Sequence, residues 1–273
     1  MLGWFLPWRA DDYESLPPAR RIRAQRIAIA LWILLVVFIG TAIGVTVLLV
    51  RGGQRRGGEV PKYENWQQVG EECPRAPANP QDRRRHANQL TVATFNAEWL
   101  FMDSCPGNHC SFKTQAEKED HLQRVATTIY NLNADIVNVV EVESCRTLAR
   151  LLSLMPAGHG YLPYVIKSID TATGQTLGLL TRVDPVQDLE RSSARVAFPI
   201  AASKCPAVGL SGKMGSSKHY ITRFEVRNSG GQATSFIMAG VHLLAQPLDR
   251  QRCPRREGQA AVVKEAVEAA LLK

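Results

Sequence analysis

No Asn-x-Ser/Thr sequon, no Cys-x-x-Cys pair, no internal repeat and no low-complexity tract occurs in the 273 residues of this chain. The first absence leaves a lumenal or extracellular location without support from glycosylation. The second speaks against a zinc site built on closely paired cysteines. The third excludes a solenoid. The fourth, with 45% apolar and 21% charged residues, excludes disorder of the whole chain. One segment lacks charge altogether. Residues 27–50 (IAIALWILLVVFIGTAIGVTVLLV) form an apolar run that at about 1.5 Å per residue reaches roughly 36 Å, enough to cross a bilayer core of about 30 Å. A cleaved signal peptide has an apolar core of about 7 to 15 residues that ends in a small-residue cleavage site. This run is longer and exits into Arg51-Gly52-Gly53-Gln54-Arg55-Arg56, so a single transmembrane helix is expected.

The net charge of +8 invites a nucleic-acid reading, because basic surfaces neutralise phosphates and release counterions. Its distribution weakens that reading. Residues 89–273 carry 20 Lys or Arg against 17 Asp or Glu, and the remaining excess of five flanks the apolar run. Such juxtamembrane clusters serve topology and anionic headgroups, so the charge says little about substrate. Five arginines before the run against four basic residues shortly after it give a slight preference for a cytoplasmic N-terminus and a lumenal or extracellular C-terminal domain. All six cysteines (Cys73, Cys105, Cys110, Cys145, Cys205 and Cys253) follow the run. An even set on one side suits disulfides in an oxidising compartment, with six free thiols in the cytosol as the alternative.

Four segments follow from composition: a tail over 1–26, the membrane helix over 27–50, a Gly/Pro/Arg-rich linker over 51–88 and a folded domain over 89–273. In the domain, 90–99 (LTVATFNAEW) reads as a buried strand with Leu90, Val92 and Thr94 on one side. Leu122, Val125, Ala126 and Ile129 have helical spacing within 114–131. Strands are expected over 135–142, 164–167, 176–181, 219–226 and 234–242. A closing helix is expected over 255–272, with Ala260, Val263, Val267 and Ala270 on its apolar face. Several late strands follow one another without an intervening helix, which predicts an α/β sandwich rather than a regularly alternating parallel sheet.

Three polar groups fall at strand ends, where open α/β folds expose side chains to a cleft. Asn96 can serve a site or merely satisfy its own turn. Glu141 ends an apolar strand, with Glu143 two residues on. A carboxylate there can ligate a hard cation such as Mg²⁺ or stand as a solvated strand end. His242 can bond a phosphate oxygen or move a proton, or be a satisfied core residue. Lys218 and His219 approach a preceding strand and could add phosphate contacts. Arg182 reads as a surface charge at a strand end.

Taken in order, LTVATFNAEW, the helix leading into LNADIVNVVEVE, Gly178-Leu179-Leu180-Thr181-Arg182, and Gly240-Val241-His242-Leu243-Leu244-Ala245 followed by Arg255-Arg256-Glu257-Gly258-Gln259-Ala260 resemble the endonuclease/exonuclease/phosphatase superfamily. That group includes type I deoxyribonuclease, abasic-site endonucleases, neutral sphingomyelinases and inositol-polyphosphate 5-phosphatases. The resemblance covers roughly 89–273. It implies a partial α/β sandwich of the deoxyribonuclease-like type, behind one transmembrane helix. It also implies Asn96 as the residue that orients the metal-bound carboxylate and the scissile phosphate, Glu141 as the Mg²⁺ ligand (with Mn²⁺ as an alternative metal) and His242 as a phosphate contact. The family completes its site with a later Gly-Asp-x-Asn strand end and a terminal Asp-His pair, neither of which occurs here. The expectation is therefore a domain present over about two-thirds of its length. The implied activity is membrane-anchored, Mg²⁺-dependent phosphodiester hydrolysis, nuclease-like in substrate. The alternatives are a membrane-lipid phosphodiesterase of the sphingomyelinase type and a catalytically inactive membrane-tethered binding protein. The expected partners are the membrane and a nucleic-acid or phospholipid substrate, and no oligomer is evident.

Overall fold

A computed structural model describes residues 73–103, 105–106, 109–170, 172–206 and 209–273. The expected membrane run over 27–50 and the tail before it lie outside the described residues. Among the described residues no helix is long and apolar enough to cross a membrane.

The fold is mixed α/β. A four-stranded sheet has the order β1 (Val92–Leu100), β2 (Ile136–Val142), β4 (Thr176–Thr181), β3 (Leu162–Ile166), with β1 and β2 parallel and the other pairs antiparallel. A parallel pair needs a long crossover, supplied by helix α1 (Gln115–Leu132). α1 starts at a reciprocal cap, where Thr114 Oγ1 accepts from Glu117 N and Glu117 Oε2 accepts from Thr114 N at 2.8 Å. It stops at Asn133, whose φ of 50° lies in the left-handed region that Asn tolerates. The buried face of α1 is His121, Leu122, Val125, Ala126 and Ile129, as the spacing predicts with one histidine added. Helix α2 (Cys145–Ser153), which was not expected, is capped by Ser144 and packs Leu148, Leu151 and Leu152 on the same sheet face.

The other face of the sheet meets the hairpin β7 (His219–Arg227) and β8 (Ala233–Val241) through Ile136, Tyr164, Leu177, Leu179, Tyr220 and Phe224. Tyr220 OH donates to Asn138 Oδ1 at 3.0 Å and Asn138 Nδ2 to Thr94 Oγ1 at 3.1 Å, a polar link from the sandwich interior out to exposed Thr94. Gly240 makes room for it, since a Cβ there would stand 2.2 Å from Tyr220 Cε1. The short pair β5 (Val196–Phe198) and β6 (Gly212–Met214) lies beside helix α3 (Cys253–Leu271), which packs against β5 to β8.

Four expectations need correction. The β1 face carrying Val92 and Thr94 is exposed, and β1 packs instead through half-buried Ala93 and Phe95 and buried Ala97 on the helix side. On α3, Val263 and Ala270 are buried as expected and Val267 is half-buried, but Ala260 is exposed. In the first turns Gly258 packs on Met214 and Phe198 and the Gln259 side chain accepts from Leu244 N, so packing and one amide replace the expected alanine. Arg182 is 1% exposed rather than on the surface. It donates to the carbonyls of His159 and Asn133 and lies 4.4 Å from the Tyr161 ring centroid. Residues 73–88, read as linker, are tied to the domain. Ala76 N donates to Asp188 Oδ1 at 2.8 Å, and buried Arg83 pairs with Asp184.

All six cysteines are joined, as Cys73–Cys145, Cys105–Cys110 and Cys205–Cys253. This is the state that an oxidising compartment supports.

Candidate active site

Glu141 is displaced from its own strand. Its neighbours Val140 and Val142 both keep ladder partners on β1 and β4, while Glu141 pairs with neither and takes a φ of 66°. On the β1 side the same irregularity spans Ala97, Glu98 and Trp99, with φ of 46° at Glu98 and 56° at Trp99. A positive φ at a non-glycine residue costs on the order of 1–3 kcal/mol and persists only where surrounding contacts hold it. Those contacts converge on the carboxylate. Asn96 Nδ2 donates to Glu141 Oε1 at 3.0 Å, and Trp99 N donates to Oε2 at 3.1 Å. Asn96 is itself oriented, since its Oδ1 accepts from Glu98 N at 2.9 Å. The bulge thus aims a carboxylate out of the sheet end and fixes it from two sides.

His242 arrives from the other sheet, at the end of β8, with its backbone N–H on Lys218 O at 3.0 Å. Its Nε2 lies 3.5 Å from Glu141 Oε1, while its Nδ1 is buried with no protein partner among the described residues. Burial lowers the His242 pKa, and the charge of Lys218 lowers it further. Glu141 and Asp170 push the other way without reversing the direction. Lys218 Nζ is 3.0 Å from Asp170 Oδ2 and donates to Gln175 Oε1 at 3.2 Å. Burial alone would raise the Asp170 carboxyl, but hydrogen bonds from Thr173 and Lys218 hold it below the usual range.

The structure therefore brings together Asn96, Glu141, His242 and, at electrostatic range, Lys218. His219 does not join them. It is 1% exposed, its Nε2 accepts from Ser192 N at 2.9 Å and its Nδ1 lies 3.0 Å from Ser216 O, so both ring nitrogens are spent inside the fold. Glu143 is likewise committed, accepting from Met102 N and Thr147 Oγ1. Sequence reasoning missed Asp170 and Gln175, which lie between strands and carry no periodic signal.

The donor set decides what metal could fit. Among the described residues no group of three or more His, Cys, Asp or Glu side chains could hold an ion. Glu141 has about four lone-pair sites. Two accept N–H bonds and a third faces His242, which leaves room for one metal bond. That suits a divalent cation which keeps most of its own waters, and it does not suit a preformed cage.

No family model matches the chain, and no curated protein matches it. Among solved structures it is similar to a truncated TDP2 from Caenorhabditis elegans, with a TM-score of 0.35 and 16% identity over 67% of this chain and 56% of that one. It is similar to a functionally unknown conserved protein from Enterococcus faecalis V583, with a TM-score of 0.35 and 13% identity over 66% of this chain and 61% of that one. The chain thus spans less than two-thirds of the length of either. The functional reading rests on the site's own geometry.

Proposed function

We propose that this protein is a membrane-anchored phosphodiester hydrolase, nuclease-like in substrate and dependent on Mg²⁺, with its domain on the lumenal or extracellular side. The observation that carries the reading is the convergence of Asn96, Glu141 and His242 from three strands belonging to two sheets. Mg²⁺ bound through Glu141 and the phosphate would polarise a phosphoryl oxygen. Asn96 holds the Glu141 carboxylate in one orientation. His242, neutral at pH 7 by its lowered pKa, is the group able to take or direct a proton at the phosphate. The Lys218 cation, held by Asp170, adds positive potential on the same side. The three disulfides support the location outside the cytosol.

The test is hydrolysis of bis(p-nitrophenyl) phosphate by the detergent-solubilised full chain, with Mg²⁺ or Mn²⁺ and with EDTA. Metal-dependent turnover that Glu141→Gln abolishes is the expected result. No turnover of this diester, of DNA or of sphingomyelin would leave the membrane-tethered binding protein as the reading. That alternative draws on one observation, that among the described residues no three His, Cys, Asp or Glu side chains gather to hold a metal ion.

A further inference from the structure

Beside the Glu141 cluster stand aromatic rings that its chemistry does not use. The Trp99 backbone N–H donates to Glu141 Oε2 at 3.1 Å, so Trp99 is the residue whose main chain holds the site carboxylate. The ring is half buried. Phe101, 4% exposed, backs it with centroids 5.7 Å apart, and exposed His109 lies 6.2 Å away with the two planes inclined by 33°. Both rings sit on restrained backbone. Phe101 N donates to Trp99 O at 2.8 Å, Met102 N donates to Glu143 Oε2 at 2.7 Å, and Cys110, next to His109, is buried and joined to Cys105.

We propose that Trp99 and His109 form a stacking platform for an unpaired nucleobase next to the scissile phosphate, which makes single-stranded nucleic acid the substrate class. The assignment rests on the hydrolase reading above and narrows its substrate. Every base offers a π-face, so aromatic side chains beside a phosphate-binding site capture a single strand with little sequence preference. A base in a duplex must first leave its stack. A choline headgroup would ask for rings that converge around a cation. The rings here are two, Trp99 and exposed His109 with planes inclined by 33°, and the third, Phe101, is 4% exposed.

The experiment measures binding by the full chain in detergent, with divalent cations chelated so that no strand is cut. The probes are fluorescein-labelled decathymidylate and an abasic decamer of the same backbone and charge, so that phosphate contacts cancel. The wild type is expected to bind the base-bearing strand about tenfold more tightly, with His109→Ala narrowing the ratio to about twofold and His109→Phe restoring it. Equal affinity of the wild type for both strands overturns the proposal, and so does a ratio that His109→Ala leaves intact. Displacement of decathymidylate by phosphocholine at concentrations where thymidine monophosphate has no effect overturns it in favour of a lipid headgroup. Failure of the hydrolase reading shows separately, as absent cleavage of bis(p-nitrophenyl) phosphate, which carries no nucleobase.

Discussion

His242 Nε2 lies 3.5 Å from Glu141 Oε1, so the residue that follows β8 in one sheet meets the bulged residue of β2 in the other. Burial and the Lys218 charge keep His242 neutral to a pH below the ordinary imidazole value of about 6.5. If neutral His242 is the working form, the acidic limb of kcat/KM lies below pH 6.5. Lys218→Met removes a cation that depresses the His242 pKa, and the limb should move to higher pH. A pH–rate profile of both proteins on a phosphodiester decides this, and a limb unmoved by the substitution would remove Lys218 from the site's electrostatics.

Asn96 is the simplest positioning residue to test. Its amide holds one oxygen of Glu141 and its own carbonyl oxygen is fixed by Glu98 N. Asn96→Ala should lower kcat/KM by about 10–100-fold, the usual effect of losing a partner that orients a metal-binding ligand. Asn96 is exposed, so the thermal midpoint should change little. A large drop in midpoint with unchanged kcat/KM would make Asn96 a structural residue.

The parts of this site that were legible in the sequence are those set by local pattern. Glu141 and His242 follow apolar runs, and a strand that ends in a polar residue announces where a cleft opens. The helix α1 follows from the spacing of Leu122, Val125, Ala126 and Ile129, and its start is fixed by Thr114 and Glu117, which cap it with their own side chains. What was not legible depends on partners distant in the chain. His219 follows Lys218 and looks equally available, yet Ser192 and Ser216 consume both its nitrogens. The turn of Glu141 into positive φ is forced by the irregular pairing of two neighbouring strands, which one strand's sequence does not record. Ala260 and Ala261 are the same residue type, so neither marks which side of α3 would meet Met214 and Phe198.

Gly240 offers a stability test two residues from His242. An added methyl would meet Tyr220 Cζ at 2.4 Å and Asn138 Oδ1 at 2.5 Å, both inside the sandwich, and the fully buried ring cannot step aside. Gly240→Ala should cost about 1–3 kcal/mol, the range for overpacking a filled core. Urea unfolding measures it. A change below about 0.5 kcal/mol, the usual limit for surface substitutions, would mean that β7 and β8 are less tightly held than the Tyr220–Asn138 bond implies.

The Cys73–Cys145 bridge spans 72 positions and ties residues upstream of β1 to the first turn of α2. Replacing both cysteines by alanine should lower stability by about 2–5 kcal/mol, because a long loop regains its freedom in the unfolded chain. The Cys105–Cys110 bridge closes a short loop and should cost less on the same model. Unfolding midpoints of the two double variants rank them, and equal losses would contradict the loop-length account.

Acid should destabilise the fold through its histidines before its carboxylates. Burial lowers the pKa of His159, His219 and His242 in the folded protein, whereas the unfolded chain returns each to about 6.5. Above that pH neither state carries the extra protons, and the three groups contribute their full stability. As pH falls below 6.5 the unfolded chain takes up protons that the folded one refuses, so the unfolding free energy declines. Asp170, whose pKa is lowered in the folded protein, acts in the same sense nearer pH 4, since its stability is present above the unfolded value and is lost as pH falls through the folded one. Urea midpoints at pH 7.5 and 5.5 test the histidine part alone. The midpoint should be lower at pH 5.5, and a rise would mean that these imidazoles gain partners on protonation that outweigh their burial.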